Sequence, residues 1–250
     1  MSFPFVSCIC PTYDRRIFLP HLLYIYKSQS YPKEFRELII LDDSPNSNYD
    51  IIDLFLQNNK DENIRYFFNS EKMTIGKKRN ILHTLIKGIY VVCFDDDDYY
   101  HPNRISHAIN KLQNTHYKIA GCSKLYVYYS NIDEIYEFGP FKENHATNGT
   151  FAYHKSYLIN NLYKDSCSFA EEQHFLNYHK NPLLQLNSLE TILCISHNTN
   201  TFDKKKVIKS GRKTNFKLKD FVKNSELLHF YQNLNNIQNL NNITNNVTIL

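Results

Sequence analysis

YVVCFDDDDYYHPNRI, Tyr90–Ile105, joins three kinds of sequence in sixteen residues. Tyr90–Phe94 is a continuous apolar run rich in β-branched and aromatic residues, as expected of a strand covered on both faces. Four adjacent carboxylates, Asp95–Asp98, follow it directly. Pro102 then opens a stretch of helical spacing from Asn103 to Asn114, a position where its missing N–H costs nothing. In an open α/β sheet, ligands bind outside the carboxyl ends of the strands. Adjacent like charges raise one another's pKa unless a cation neutralises them. Hard divalent cations prefer carboxylate oxygens, and Mg²⁺ commonly takes one or two of these together with phosphate oxygens. The run therefore suggests a diphosphate held through Mg²⁺ or Mn²⁺; the alternative is a solvated acidic turn.

Upstream, the same alternation repeats. Phe5–Cys10, Glu37–Leu41 and Ile64–Phe68 read as strands, and Phe18–Ser28, Tyr49–Asn58 and Gly76–Lys87 carry helical spacing. Strand and helix in turn predict βαβ units and a mostly parallel sheet. Downstream the pattern loosens. One strand is expected over Ile119–Tyr129, a helix near Glu171–Tyr178 and a strand at Thr191–Ser196. A basic stretch, DKKKVIKSGRKTNFKLK, covers residues 203–219, and the Asn-rich tail repeats Leu234, Ile237, Leu240 and Ile243 at the spacing of a weak docking helix.

The 250 residues are 42% apolar and 22% charged, which supports a sizeable core and argues against global disorder. A net charge of +4 is too mild for an obligate nucleic-acid binder. No run reaches the ~18 apolar residues of a membrane span, and no basic segment precedes the first apolar run as in a signal peptide. Cys8, Cys10, Cys93, Cys122, Cys167 and Cys194 show neither CxxC pairing nor zinc spacing, so free thiols are expected. Together these predict a soluble cytoplasmic chain, in which the sequons at Asn148, Asn242 and Asn246 go unmodified.

Competing chemistries for clustered aspartates fail on detail. A prenyl-diphosphate DDxxD motif lies on a helix, whereas here Tyr99 fills the fifth position after a strand. A DxDx[TV] phosphatase motif needs Thr or Val where Tyr99 stands. The segment MTIGKKRN lacks the P-loop pattern. Five blocks instead match, in order, a family 2 glycosyltransferase: VSCICPTYDR (Val6–Arg15), LIILDDS (Leu38–Ser44), IGKKRN (Ile75–Asn80), FDDDDYYHPNRI, and the late pair FAEEQHFL (Phe169–Leu176) with ISHNTNTFDK (Ile195–Lys204). The chain resembles that family over about residues 4–205.

The resemblance implies an α/β GT-A (Rossmann-like) fold, a mostly parallel sheet flanked by helices, forming a single domain with a C-terminal helical extension. The transferase domain would span residues 1–205, with a nucleotide-binding half to about 115 and an acceptor half from 116. Residues 206–250 would form a basic lid and the Asn-rich extension. It further implies an inverting, metal-dependent transfer from a nucleotide-sugar donor, UDP favoured, to a glycan or other hydroxyl acceptor, with Mn²⁺ or Mg²⁺ as cofactor. Pro11, Thr12 and Tyr13 would hold base and ribose, and Asp43 would accept the uracil N–H while Asp42 orients the loop. For that pair a helix N-cap is the alternative. Lys78 and Arg79 would meet the diphosphate or bind Asp43 and the acidic loop, against a solvated basic face as the alternative. Asp97 would ligate the metal, Asp95 would touch both ribose and metal, Asp96 would share the nucleotide, and His197 would complete the metal shell. Asn200, Thr201 and Lys204 would approach phosphate. Glu172, the second acid of its block and placed near a helix start that would keep it ionised, would be the general base. The segment Asn148–Ser156 would be an acceptor-side loop and strand. Other readings are a catalytically silent nucleotide- or glycan-binding module of the same fold, and a metal-dependent phosphatase or nucleotidyltransferase. The basic strip could equally face solvent or a lipid surface.

Overall fold

The computed structural model describes residues 3–198, 200 and 202–237. Its elements in chain order are β1 (Val6–Thr12), α1 (Leu19–Lys27), β2 (Arg36–Asp42), α2 (Tyr49–Asn58), β3 (Ile64–Phe68), α3 (Ile75–Leu85), β4 (Tyr90–Cys93), β5 (Tyr99–Tyr100) and α4 (Arg104–Gln113). There follow β6 (Ile119–Gly121), β7 (Leu125–Tyr129), β8 (Glu134–Phe138), β9 (Ala152–His154), α5 (Glu172–Phe175), β10 (Leu184–Gln185), β11 (Ile192–Ser196), β12 (Arg212–Lys213), α6 (Leu218–Phe221) and α7 (Ser225–Ile237).

A seven-stranded sheet runs β10-β6-β9-β4-β1-β2-β3. Strands β4, β1, β2 and β3 are mutually parallel, β9 is antiparallel to both β4 and β6, and β10 is parallel to β6. Every residue of β1 and β2 is buried, which explains the apolar runs at their centres, Cys8–Cys10 and Leu38–Leu41. Alternate residues feed two cores. Cys8 and Cys10 join the larger cluster on one face, and Ile9 joins the smaller cluster on the other with Ile39, Val91 and Cys93. Helix α4 shows how a helix covers such a sheet: its buried residues Ile105, Ala108, Ile109 and Leu112 recur at three- and four-residue steps.

A second sheet runs β12-β8-β7-β11-β5. The expected single strand Ile119–Tyr129 is in fact two. β6 belongs to the large sheet and β7 to the small one, and Cys122–Lys124 carry the chain between them. An uninterrupted apolar run cannot reveal such a change of sheet, because both strands are buried throughout.

The described residues beyond 205 pack on the same core. β12 pairs with β8, and Leu218, Phe221, Leu227, Tyr231 and Leu234 join the larger core. Phe230 of α7 lies edge-on to Phe18 at 5.6 Å, and Asn224 donates to the Tyr24 hydroxyl at 2.9 Å. The docking-helix spacing holds at Leu234; Leu240, Ile243, Asn242 and Asn246 lie outside the described residues. All six cysteines are free. Among the described residues no helix is long and apolar enough to cross a membrane.

Candidate active site

The carboxyl ends of β1 and β4 open into one cavity of about 1000 Å³. Pro11, Tyr13, Lys78, Arg79 and Asp95–Asp98 line it, together with Asp14, Arg15 and Lys72. Thr12, Asp43, Glu172 and His197 do not.

The turn after β2 is built by Asp42. Its buried carboxylate accepts from Ser44 N–H (2.9 Å), the Ser44 hydroxyl, Asn48 Nδ2 (2.7 Å) and the Tyr66 hydroxyl (2.7 Å). Asp42 thus orients the loop, as expected. Asp43 faces inward: it accepts from Lys78 Nζ at 2.6 Å through Oδ1 and from Met73 N–H at 2.6 Å through Oδ2. Lys78 also donates to the Thr12 carbonyl at 2.9 Å, joining β1, β2 and α3. Asp43 itself does not line the cavity; Lys78, which does, is its partner there. Lys72 Nζ sits 3.9 Å from the Tyr13 ring centroid, a cation–π contact at the mouth of the same pocket.

Helix α3 starts where Thr74 caps it, accepting from Lys77 N–H at 3.4 Å. The solvated-face alternative for its basic run is excluded for two of the three cations: Lys78 and Arg79 are buried while Lys77 is exposed. Arg79 reaches two acids, donating from Nε to Glu171 at 2.8 Å and from Nη2 to Asp95 at 3.1 Å. The Asn148 amide oxygen, oriented to satisfy its neighbours, lies 2.6 Å from Arg79 Nη1, with the Tyr163 hydroxyl on its other side. Asn148 is therefore buried in the site and is no surface sequon.

In the acidic loop each carboxylate has a separate environment. The Asp95 N–H donates to the Tyr100 hydroxyl at 2.7 Å, and Arg15 Nε lies 3.9 Å from both Asp96 and Asp97. Asp97 Oδ2 meets His197 Nε2 at 3.0 Å and Asn200 Nδ2 at 3.2 Å. Asp98 accepts from Ile195 N–H at 2.7 Å, with Lys204 Nζ 3.5 Å away. Burial, then the charge of Asp97, pushes Asp96 up to about 8. Burial raises Asp98 to about 7 and also lifts Asp95. Burial acts against Asp97 as well, yet the hydrogen bond with His197 and the charge of Lys204 hold it below the ordinary carboxylate range. Burial lowers the His197 pKa, leaving a neutral imidazole.

A divalent cation fits this donor set. Crowded carboxylates raised by burial and mutual repulsion are what an added positive charge would relieve. Among the described residues no three His, Cys, Asp or Glu side chains are arranged to enclose a metal by themselves. Oxygen ligands from a bound diphosphate would have to complete the shell, the mode Mg²⁺ commonly adopts.

The two late acids part company. Glu171 is buried, lines the cavity and is fixed by Arg79. Glu172, the first residue of α5, is raised by burial and then by the charge of Glu171. The help expected from a helix start is present, in the Glu172 backbone N–H that lowers the carboxyl, but burial outweighs it. Thr201 lies outside the described residues. Arg15 and Lys72 line the cavity and were given no role from sequence, although Arg15 lies inside the first matching block; Asn148 and Gly149, also in the lining, fall in the segment expected to be an acceptor-side loop.

The fold is that of the GT-A class, with the cavity at the carboxyl ends of its parallel strands. Residues 7–171 match the family described as Glycosyl transferase family 2, and the chain belongs to that family. The match ends at Glu171, so the block ISHNTNTFDK lies beyond it. Among solved structures, S. aureus TarS 1–349 in complex with UDP-GlcNAc is 19% identical with a TM-score of 0.63, covering 78% of this chain and 60% of that one. The same protein in complex with UDP is 20% identical with a TM-score of 0.61, covering 76% and 60%. Mannosyltransferase PcManGT from Pyrobaculum calidifontis, in complex with GDP-Man and Mn²⁺, is 13% identical with a TM-score of 0.62, covering 84% and 61%. The chain thus spans about three fifths of the length of these structures. No curated protein matches it in sequence.

Proposed function

We propose that this enzyme is an inverting transferase moving a sugar from a nucleotide diphosphate, UDP before GDP, to a hydroxyl acceptor with Mn²⁺ or Mg²⁺. The observation that carries this reading is the convergence of Tyr13, Lys78, Arg79 and Asp95–Asp97 on one cavity at the carboxyl ends of parallel strands. Solved relatives in fold hold UDP, UDP-GlcNAc, or GDP-Man with Mn²⁺, which supports a nucleotide-sugar donor.

The base would lie against Tyr13 between Pro11 and Lys72. Uracil presents an N3–H flanked by two carbonyl oxygens. Lys78 can donate to an oxygen, and the Asp43 carboxylate that positions it has lone pairs left for the N–H. Asp95 and Asp97, with His197, would hold the cation, which when bound neutralises charge on the departing diphosphate. Arg79 keeps Asp95 in place, and Asp96 and Arg15 lie beside the same phosphates.

Glu172, beside the cavity-lining Glu171, would have to turn inward to take the proton of the acceptor hydroxyl as that oxygen bonds the anomeric carbon from the face opposite the diphosphate. The carbon–oxygen bond to diphosphate breaks, and the electron pair leaves with it. Glu172 is preferred to Glu171 because Glu171 is already ion-paired with Arg79, whereas a raised carboxyl is the better base near neutral pH. Calorimetry with UDP, GDP and CDP, with and without Mn²⁺, tests the donor half. Tight metal-dependent binding of CDP alone, or no binding of any, would refute it.

A further inference from the structure

Beyond the diphosphate end, the cavity changes character. Every side chain that the five-stranded sheet contributes to it is apolar or aromatic: Leu125, Val127 and Tyr129 from β7, Phe138 from β8, Ile192 and Cys194 from β11. A free sugar bound here would leave hydroxyls without partners, and an unpaired polar group is costly to bury. A hydrocarbon chain would instead gain from the same wall.

The rim continues the pattern. Phe141, Phe169 and Phe202 line the cavity yet are 55%, 77% and 59% exposed. Three large aromatic rings at one opening are unusual on a surface that has no partner. Beside them, the turn Lys204–Ser210 places Val207 in the cavity wall while Lys205, Lys206 and Lys209 stand exposed. The basic charge continues: residues 204–223 hold nine Lys or Arg against a single acid, Asp220, although Lys204, Arg212 and Lys213 pair with Asp98, Glu137 and Glu134. Phenylalanines next to a lysine-rich strip suit the interface of an anionic bilayer, where rings enter the acyl boundary and ammonium groups meet headgroups.

We infer that the acceptor is a hydroxyl-bearing lipid taken from an anionic membrane surface, its hydrocarbon lying on the β7–β8–β11 wall and its hydroxyl directed toward the Glu171–Glu172 end. This rests on the transferase reading above and names its acceptor class. The phenylalanine rim and the strip of lysines are separate observations, and both point to the same partner.

The test uses the full chain with Mn²⁺ and UDP- or GDP-hexoses, following nucleotide release. Acceptors are a free hexose, its octyl and dodecyl glycosides and its nitrophenyl glycoside. Turnover should rise from the free sugar to the octyl glycoside by about ten-fold or more, the scale that added methylenes can contribute. The Phe169→Ser/Phe202→Ser double variant should flatten that dependence. In flotation, the protein should bind phosphatidylcholine vesicles carrying phosphatidylserine, bind phosphatidylcholine alone more weakly, and lose the difference in a Lys205→Glu/Lys206→Glu/Lys209→Glu variant. Nucleotide calorimetry on the same preparation separates the two readings. No nucleotide binding overturns the donor assignment and this inference with it. Nucleotide binding with equal use of hydrophilic and alkyl acceptors, with aryl ahead of alkyl, or without vesicle association overturns the lipid acceptor alone.

Discussion

Lys78 Nζ and Asp43 Oδ1 meet at 2.6 Å with the lysine side chain 6% exposed and the aspartate side chain fully buried. The pair links the second strand to the start of the third helix and aims an ammonium group into the nucleotide end of the cavity. Removing one partner of such a pair strands the other's charge, which costs about 3–5 kcal/mol, whereas an apolar replacement of both is often near neutral. Lys78→Met should therefore lower stability by about that amount, and Lys78→Met with Asp43→Leu should recover much of it. Urea unfolding of the three proteins checks this. A single variant as stable as the parent would show that the pair contributes nothing.

The acidic loop gives a second expectation. Asp97 is held low by its hydrogen bond with His197 while its neighbours Asp95 and Asp96 are raised, so a cation bridging to phosphate should find Asp97 already ionised. Nucleotide affinity should fall in EDTA, and Asp97→Asn should reproduce most of that loss. His197→Ala should weaken the Mn²⁺ dependence on the order of 10-fold, the scale of a lost ligand partner. Affinity unchanged by chelation would remove the metal from the scheme.

Much of this site was legible in the sequence, for a physical reason. Strands buried on both faces spell themselves as largely apolar runs, so β1, β2 and β4 and the carboxylates that follow β2 and β4 could be placed from residue types alone. The half-buried edge strand β3 could be placed from its aromatic and β-branched content. Lys78 does bind Asp43 and Arg79 the acidic loop, as the sequence suggested, but the pairing of Arg79 with Glu171 was not foreseen. Glu171 lies 92 residues from Arg79, and charges on a helix normally read as a solvated face. The half-exposed strand Glu134–Phe138 and the change of sheet after Gly121 were equally silent, since both depend on which strand arrives alongside. Glu172 is the converse case: family resemblance singled it out, while its raised pKa follows from burial that no local pattern encodes.

That raised carboxyl has a consequence for pH dependence. A general base acts only when ionised, so activity falls as pH drops through its pKa. With Glu172 pushed up by burial, the acid limb of kcat/KM should lie above the ordinary glutamate range. Glu172→Gln should abolish that limb and slow transfer by ~10²–10⁴-fold with donor binding retained. Glu171→Gln should instead loosen Arg79 and weaken donor binding. If Glu171→Gln alone removed the limb, the base would be Glu171.

Two glycines separate stability from function. A Cβ at Gly76 would lie 2.1 Å from the Lys164 carbonyl oxygen, a backbone atom that cannot turn aside. At Gly149 it would lie 2.5 Å from Asp95 Oδ2 and 3.1 Å from the Tyr100 hydroxyl, where the closest atom ends a side chain and can rotate. Gly76→Ala should therefore cost about 1–3 kcal/mol in stability, as overpacking usually does. Gly149→Ala should keep most of its stability by turning Asp95 away from Arg79, and so take a carboxylate from the metal loop. Its Mn²⁺-dependent nucleotide affinity should fall on the order of 10-fold, while the residual metal-free affinity holds. Thermal melts and calorimetry on both variants read the two effects independently. A Gly149→Ala protein that melts early but binds nucleotide as the parent does would mean that Gly149 supports the fold and leaves Asp95 where it stands.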